Sequence, residues 1–565
     1  MRTLGTRRFA SLLTCIVLLL AACAPPGTGG PTSSGSSEGQ PAAKKHLVAA
    51  LLKPNVPTIR ENGGDRIYEL ALGGLGRLDT WGVVHPQLAE AVPSVENGLW
   101  RVFPDGRMET TWKIRADARW HDGTRITSAD YVFGTTVDQD KDLGEAVDAN
   151  YASIDSIEAP DAQTITIKWN KPYVLADAFP TGLRSGLFQL LPRHLLEGIY
   201  TENKAGFYSH PYWSGGLVHA GPYQVREWVP DSHVILDAFD AYVLGRPKID
   251  QIEVRFIPDT NTMVANLLAG AVHMTVGQSI SPEQAANLKE TWKDGTPVTS
   301  PVYGSSVGIF FQAIDPNPPV LADIRFRRAL IHAFDRQALI DTVLSGQTKV
   351  AHAIVGGLHQ GVDDAAVKYD YDPRRASQLM EEIGHRKGPD GVYQDGRGRP
   401  LAMEVRGIQE EEVRVKTTLT SEADWRALGI ATNLVMLPAT GNENQLLATW
   451  PAAFTRGVAG GLSAGLFAYF SVSRVRLPEN NYLGGNGPRY INPELDNLIA
   501  RAVATIPRSE RELFINQAVR HMTENAIAIG AFYQPYNAAV NSRLVNVTTS
   551  STFAHGWDAH VWDMK

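Results

Sequence analysis

The chain has 565 residues and a net charge of −7, with 53 basic and 60 acidic residues scattered and no basic stripe, so a nucleic-acid partner is not expected. Its two cysteines, Cys15 and Cys23, give no disulfide framework, and packing has to hold the fold. About 520 residues follow the N-terminal region, more than one hydrophobic core normally serves, which calls for at least two lobes.

In chain order, the first segment is Arg7 and Arg8, an apolar run from Leu12 to Ala22, and Leu20-Ala21-Ala22-Cys23. A basic start, an apolar core too short to cross a bilayer and small residues before a break make residues 1–22 an export signal. Leu-Ala-Ala-Cys resembles the lipobox of bacterial lipoproteins, which implies a lipidated Cys23 and a membrane anchor, and two or more acyl chains hold where one does not. Residues 23–45 carry Pro, Gly, Ser and Thr with almost no large apolar residue, a flexible linker with a reach of about 25 Å. No second stretch is long and apolar enough for a membrane span.

The body interleaves strands and helices. Met108, Thr110, Trp112 and Ile114 alternate with polar neighbours, Trp120-His121-Asp122-Gly123-Thr124 supplies a turn, and Thr127 with Asp130 forms a capping box for the helix that follows. Ile154 and Ile157, a Pro160-Asp161 turn, then Ile165, Ile167 and Trp169 predict a hairpin. Gly221 to Val225 opens a strand, Val234-Ile235-Leu236 a second, and Ile252, Val254 and Phe256 a third. A helix from about Thr260 stops at Gly270, before an extended run from Val272 to Val276.

The second half continues this alternation. Phe326, Leu330, Ala333 and Phe334 mark one face of a helix, Asp335 caps the next, and Asp372-Pro373 and Asn492-Pro493 each set a cap before a helix-starting proline. Pro389-Asp390-Gly391 and Asp395-Gly396 are turns. Ala526 to Tyr533 is an apolar extended run able to return the chain to an earlier sheet. Trp112, Trp120, Phe133 and Trp169 are expected in the core, and Arg325, Arg327 and Arg328 on a solvated helix face with one pairing partner.

Tyr68 through Asp79, Leu88-Ala89-Glu90, Trp112 through Phe133, Gly221-Pro222-Tyr223 with Glu227-Trp228, Ile257-Pro258-Asp259 to Ala269-Gly270, Arg325 to Arg336 and Tyr490 to Asp496 together resemble the family 5 solute-binding proteins. These are extracellular receptors of ABC importers for peptides and related solutes. The resemblance implies an α/β, two-lobed fold of the periplasmic-binding-protein type II kind, with mixed sheets, a larger lobe discontinuous in sequence and an extra subdomain in the N-terminal half. It implies a first lobe over 46–302, with the subdomain at about 94–210, a second lobe over 303–529 and a return to the first over 530–565. Solute would lie between the lobes, closure would be a hinge motion, and the closed form would be read by the membrane subunits of an ABC permease. No covalent chemistry and no cofactor are called for. The protein is expected to act as an extracytoplasmic monomer, in the periplasm or at the cell surface, tethered by its lipid.

Peptide receptors of this family typically pair the peptide ammonium with an aspartate in a Trp-Ser/Cys-Ala-Asp-like run. The matching region, Phe454 to Ser463, has no acid, so anchoring an amine by that route is disfavoured. Arg456 offers positive charge suited to a carboxylate or phosphate, or else is a surface arginine. Trp450, Phe467, Tyr469 and Phe470 offer faces for a sugar, with core packing the plainer reading. Tyr303, Arg406 and Gln409 complete the candidate solute contacts. Peptide is the leading solute and oligosaccharide the alternative. A serine hydrolase is the competing class, because Gly304 to Gly308 and Gly461 to Gly465 both fit Gly-x-Ser-x-Gly, the second with Ser463 followed by Asp496 and His521. The 15 histidines are scattered without metal-ligand spacing, so no metal site is expected.

Overall fold

His46–Leu52 (β1) is an almost unbroken apolar run because both of its faces are covered: Leu47, Ala49 and Leu51 join one core cluster, Val48 and Ala50 another. It opens the body of a computed structural model that describes residues 44–52, 67, 70–79, 83–143, 149–178, 190–277, 279–354, 362–459, 466–467, 469–548 and 556–565, with Lys44–Lys565 forming one compact unit. The export signal, Cys23, the linker up to Ala43, Tyr68 and the Gly461 to Gly465 motif with Ser463 lie outside the described residues, as does the side chain of Tyr303.

A small hairpin, β2 (Gly76–Leu78) with β3 (Val84–Pro86), leads into an antiparallel sheet ordered β4-β5-β7-β6, built from β4 (Trp100–Val102), β5 (Met108–Lys113), β6 (Ile154–Asp161) and β7 (Thr164–Trp169). The expected alternation holds on β5 and β7, and Trp112, Trp120 and Trp169 sit in one core cluster. The helix Ser128–Asp138 starts as its sequence requires, with the Thr127 amide donating to the Asp130 carboxylate at 2.8 Å. The β6–β7 turn falls at Ala162-Gln163 and not at Pro160-Asp161. Asp161 ends its strand and accepts from the amides of Gln163 and Thr164, each at 2.8 Å, so its side chain shapes the turn that follows it.

The main sheet has ten strands in the order β16-β15-β17-β12-β18-β11-β1-β10-β9-β8. Its first half holds β1, β8 (Tyr223–Val229), β9 (His233–Ala238), β10 (Gln251–Ile257) and β11 (Met274–Val276). After β12 (Gly295–Phe311) and a separate hairpin of β13 (Arg386–Lys387) with β14 (Tyr393–Gln394), the second half adds β15 (Ala402–Ile408), β16 (Ala431–Leu437) and β17 (Ala453–Ala459). β18 (Ala528–Asn541) returns, and β19 (Leu544–Val545) with β20 (Asp563–Met564) closes the chain beside the first half.

Two long strands join the halves. β12 and β18 run antiparallel with their register interrupted between Pro301 and Ser306: Pro301 faces Pro535 on one side of the break and Ser306 faces Tyr533 on the other. Beyond the break β12 pairs with β17, and before it β18 pairs with β11. The fold is therefore mixed α/β and two-lobed, with the first lobe completed by the end of the chain. The lobes also meet away from the sheet, where Ile506, between the helices Pro493–Ala504 and Arg508–Glu524, packs against the cluster holding Trp112 and Trp120.

The helix Ile324–Ala333 buries Phe326, Leu330 and Ala333 as expected, but two of its arginines are not solvated. Arg327 donates to the carbonyls of Leu321, Asn525 and Ala526 at 2.8, 2.9 and 3.0 Å, and Arg328 to that of Glu524 at 2.7 Å. They clamp the chain just before β18. Arg325 alone pairs with an acid, Asp323.

Candidate functional site

Strand direction defines the site. In the first half β1 is parallel to β10 and β11, and in the second β15 is parallel to β16 and β17. β11 lies antiparallel to β18 and β17 antiparallel to β12, so both parallel sets run toward the interruption at Pro301/Ser306 from opposite sides. Their carboxyl ends face each other across the crossing, the place where open α/β sheets bind ligands.

Polar side chains hold this crossing. Thr299 donates to Asn537 at 2.7 Å, Gln347 reaches the Pro282 carbonyl at 2.6 Å, and Gln534 donates to Glu411 at 3.2 Å, tying β18 to the start of the helix Glu412–Leu428. Asn537 is fully buried, and its Nδ2 has no hydrogen-bond partner among the described residues. On the first-lobe side, Asp259 caps the helix Thr260–Leu268 by accepting from the Thr262 amide at 2.9 Å.

The second-lobe wall follows from the period of two. On β15 and β17, Val405 and Ala453 point into one core cluster, while Phe454 and Val458 point into the other with Trp450 and Phe470. Glu404, Arg406 and Arg456 share the parity of this second set. Arg406 is buried and occupied: its Nε donates to Glu404 at 2.8 Å and its Nη1 to the Leu446 carbonyl at 2.9 Å. Arg476 is half-buried and likewise occupied, donating to the carbonyls of Gly484 at 2.8 Å and Leu447 at 3.3 Å. Arg456 is partly buried, stacks on the Phe454 ring with 5.3 Å from its guanidinium carbon to the centroid, and makes no hydrogen bond or ion pair among the described residues. Burial, and then the charge of Arg476, pull its guanidinium down to about 10; Arg414 acts in the same direction and Tyr469 and Glu410 oppose it. Arg414 is itself paired with Glu410, at 2.5 Å, and with Glu411, at 3.3 Å.

The expected contacts therefore divide. Gln409 is exposed at the carboxyl end of β15, its amide held by the Leu437 carbonyl at 2.8 Å. Tyr303 falls on β12 within the interruption. Tyr469 is half-buried, and Phe467 is 40% exposed. Trp450 is 1% exposed and packs edge-on against Phe454 at 5.1 Å; Phe470 is buried as well, so core packing accounts for both. Ser306 is a fully buried residue in the middle of β12 that donates to the Ile354 carbonyl, which rules out a nucleophile elbow there. Arg476 was not among the expected residues: it lies 20 positions beyond Arg456, and nothing local in the sequence joins them.

The family model of the bacterial extracellular solute-binding proteins, family 5 middle, matches residues 83–474. A Brucella ovis protein named as an ABC transporter peptide-binding protein is 30% identical over 284 residues, and the chain spans about half of that relative's length (50% of each chain). The oligopeptide-binding protein AppA of Bacillus subtilis is 24% identical over 434 residues, 74% of each chain. Among solved structures, NikA from Brucella suis in complex with Fe(III)-EDTA superposes with a TM-score of 0.74 at 19% identity, over 92% of this chain and 100% of that one.

Proposed function

Because the chain belongs to the family 5 bacterial extracellular solute-binding proteins, we propose that it is the lipid-tethered receptor of an ABC importer, capturing a solute between its lobes and delivering it to the membrane permease. The observation that carries this reading is the pair of parallel strand sets whose carboxyl ends meet at the β12/β18 crossing. The crossing supplies two connecting strands and thus a natural hinge, with one lobe up to about residue 301, the other from about 306 to 533, and a return from about 535. Solute favours the closed form only through its greater affinity for that form. Peptide is the leading solute class, on the names of the Brucella and Bacillus relatives; a non-peptide solute is the second reading, favoured by the absence of any acid between Phe454 and Ser463.

Lipid attached at Cys23 would place the receptor outside the cytoplasmic membrane, on a linker long enough to let it dock on a permease. Nothing in this role transforms the solute, in keeping with a family whose members are binding proteins and not enzymes. Native mass spectrometry of the purified protein, followed by thermal-shift screening of peptides against oligosaccharides, tests the proposal. A solute at about 100 times its Kd adds about 2.7 kcal/mol of stability. Absence of any stabilising solute, or recovery of the solute in cleaved form, would refute it.

A further inference from the structure

Most buried or half-buried arginines of the second lobe donate to carbonyls or to a carboxylate. Arg336 reaches the carbonyls of Gly530 and Tyr369, Arg489 donates to Gln312 and the Ile314 carbonyl, Arg406 has Glu404, and Arg476 has Gly484 and Leu447. Arg456 departs from this practice. It sits three residues from the carboxyl end of β17, on the same face of the sheet as Arg406, with an aromatic ring beneath it and no acceptor bonded to it among the described residues. The charge that acts on it most strongly is a second guanidinium, Arg476, whose own donors are met by neutral carbonyls. Two like charges drawn from water side by side repel, and an arginine fork left without an acceptor forfeits its hydrogen bonds. The acid that acts on it, Glu410, does not settle the imbalance, because it is bound by Arg414.

An oxyanion is the chemistry that resolves such a pair, because carboxylate and phosphate accept two parallel bonds from a guanidinium and neutralise both cations. We infer that Arg456, supported by Arg476, is the second-lobe binding residue for an acidic group of the solute, a carboxylate or a phosphate. This inference rests on the receptor reading above and gives it a charge: the solute is held at this wall by its negative end. A surface arginine would lie in solvent with salt-dependent partners, and a structural one would spend its donors on carbonyls as its neighbours do.

The test compares parent, Arg456→Gln and Arg456→Lys by calorimetry and thermal shift. The probes are trialanine and its C-terminal amide for the carboxylate arm, and glucose 6-phosphate and glucose for the phosphate arm, beside any solute that co-purifies. The expected result is that an acidic probe binds the parent about 10- to 100-fold more tightly than its neutral counterpart. That preference disappears in Arg456→Gln, is partly restored in Arg456→Lys, and weakens in salt. The arm that shows it identifies the acid. With no probe added, Arg456→Gln should melt no lower than the parent, since it removes a repelling charge, whereas loss of a structural arginine would lower its melting temperature. Equal binding by parent and Arg456→Gln, no preference for acidic probes, or a lower melting temperature without any effect of acid would overturn the inference. In the first two cases a receptor that still binds peptide or sugar keeps the receptor reading intact, while failure of every solute and every probe would bring down both.

Discussion

Each half of the main sheet holds a set of parallel strands, and the two differ in what they place on their faces. In the first, β1 and β10 turn Leu47, Ala49, Ile252 and Val254 to one core cluster, and Val48, Ala50 and Ile257 to another. In the second, β15 and β17 carry Glu404, Arg406 and Arg456 on a face they share with Ile408, Phe454 and Val458. A sheet buried on both sides is most cheaply filled with apolar side chains, and charge within it costs several kcal/mol unless it is paired. The first half also carries an ion pair, Arg255 with Glu253 on β10, but that pair is only half-buried and both charges are met. The second buries Arg406 and leaves Arg456 without an acceptor among the described residues, close to the carboxyl ends of its strands, where a solute would lie.

The sharpest way to break this contrast is to put a charge where the structure has none. Ala49→Glu, with no partner within its cluster, should cost more than about 4 kcal/mol and prevent folding, as read by denaturant titration and yield of soluble protein. Removing a partner where charge is paired comes next. Glu404→Gln leaves Arg406 buried beside a neutral amide and should cost about 3 kcal/mol, while the double replacement Glu404→Leu with Arg406→Met should recover most of it. Equal costs for the single and double variants would show that the ion pair does not hold this face.

Acid should distinguish the halves further. His219 accepts from the amides of Gly73 and Ala220, both at 3.0 Å, and His121 from the His219 amide at 3.2 Å, so each works as a neutral ring. Burial draws His121 down to about 4 and His219 down to about 3. The unfolded chain takes up these protons near pH 6.5 and the folded protein only below about 4, so stability is full above 6.5 and is lost as the pH falls between those values. Each histidine should remove about 2 kcal/mol between pH 6.5 and 5. Denaturant titration at pH 7 and pH 5 checks this, and His219→Asn should lessen the pH dependence. The smallest effect is expected at the contact away from the sheet: Ile506→Ala should cost about 1 kcal/mol and, if that contact belongs to the closed form, weaken solute binding without touching solute. Unchanged affinity would restrict Ile506 to a packing role.

Much of this was legible in the sequence wherever the cause is local. Thr127 with Asp130, Asp335 and Asn492 before their helices and the buried tryptophans follow from caps and periods that span a few residues. The misplaced β6–β7 turn shows the limit of local signals, because Pro160-Asp161 is a turn pair by composition and ends a strand in the fold. Arg327 and Arg328 looked solvated because their acceptors, the carbonyls of residues 524 to 526, lie about two hundred positions away in sequence. The pairing of Arg406 with Glu404 could have been read from their spacing of two on a strand. That of Arg456 with Arg476 could not, since it depends on how the chain beyond β17 folds back. The departure at Phe454 to Ser463 was visible early because it is a missing residue type in an otherwise familiar pattern.

A crystal structure of the protein with its co-purified solute, or with the tightest probe, tests the central claim most directly. The account predicts the solute at the β12/β18 crossing, touching both lobes, with an acidic group within hydrogen-bond distance of the Arg456 guanidinium. A solute seated elsewhere, or one presenting an ammonium or only neutral groups to that wall, would contradict it.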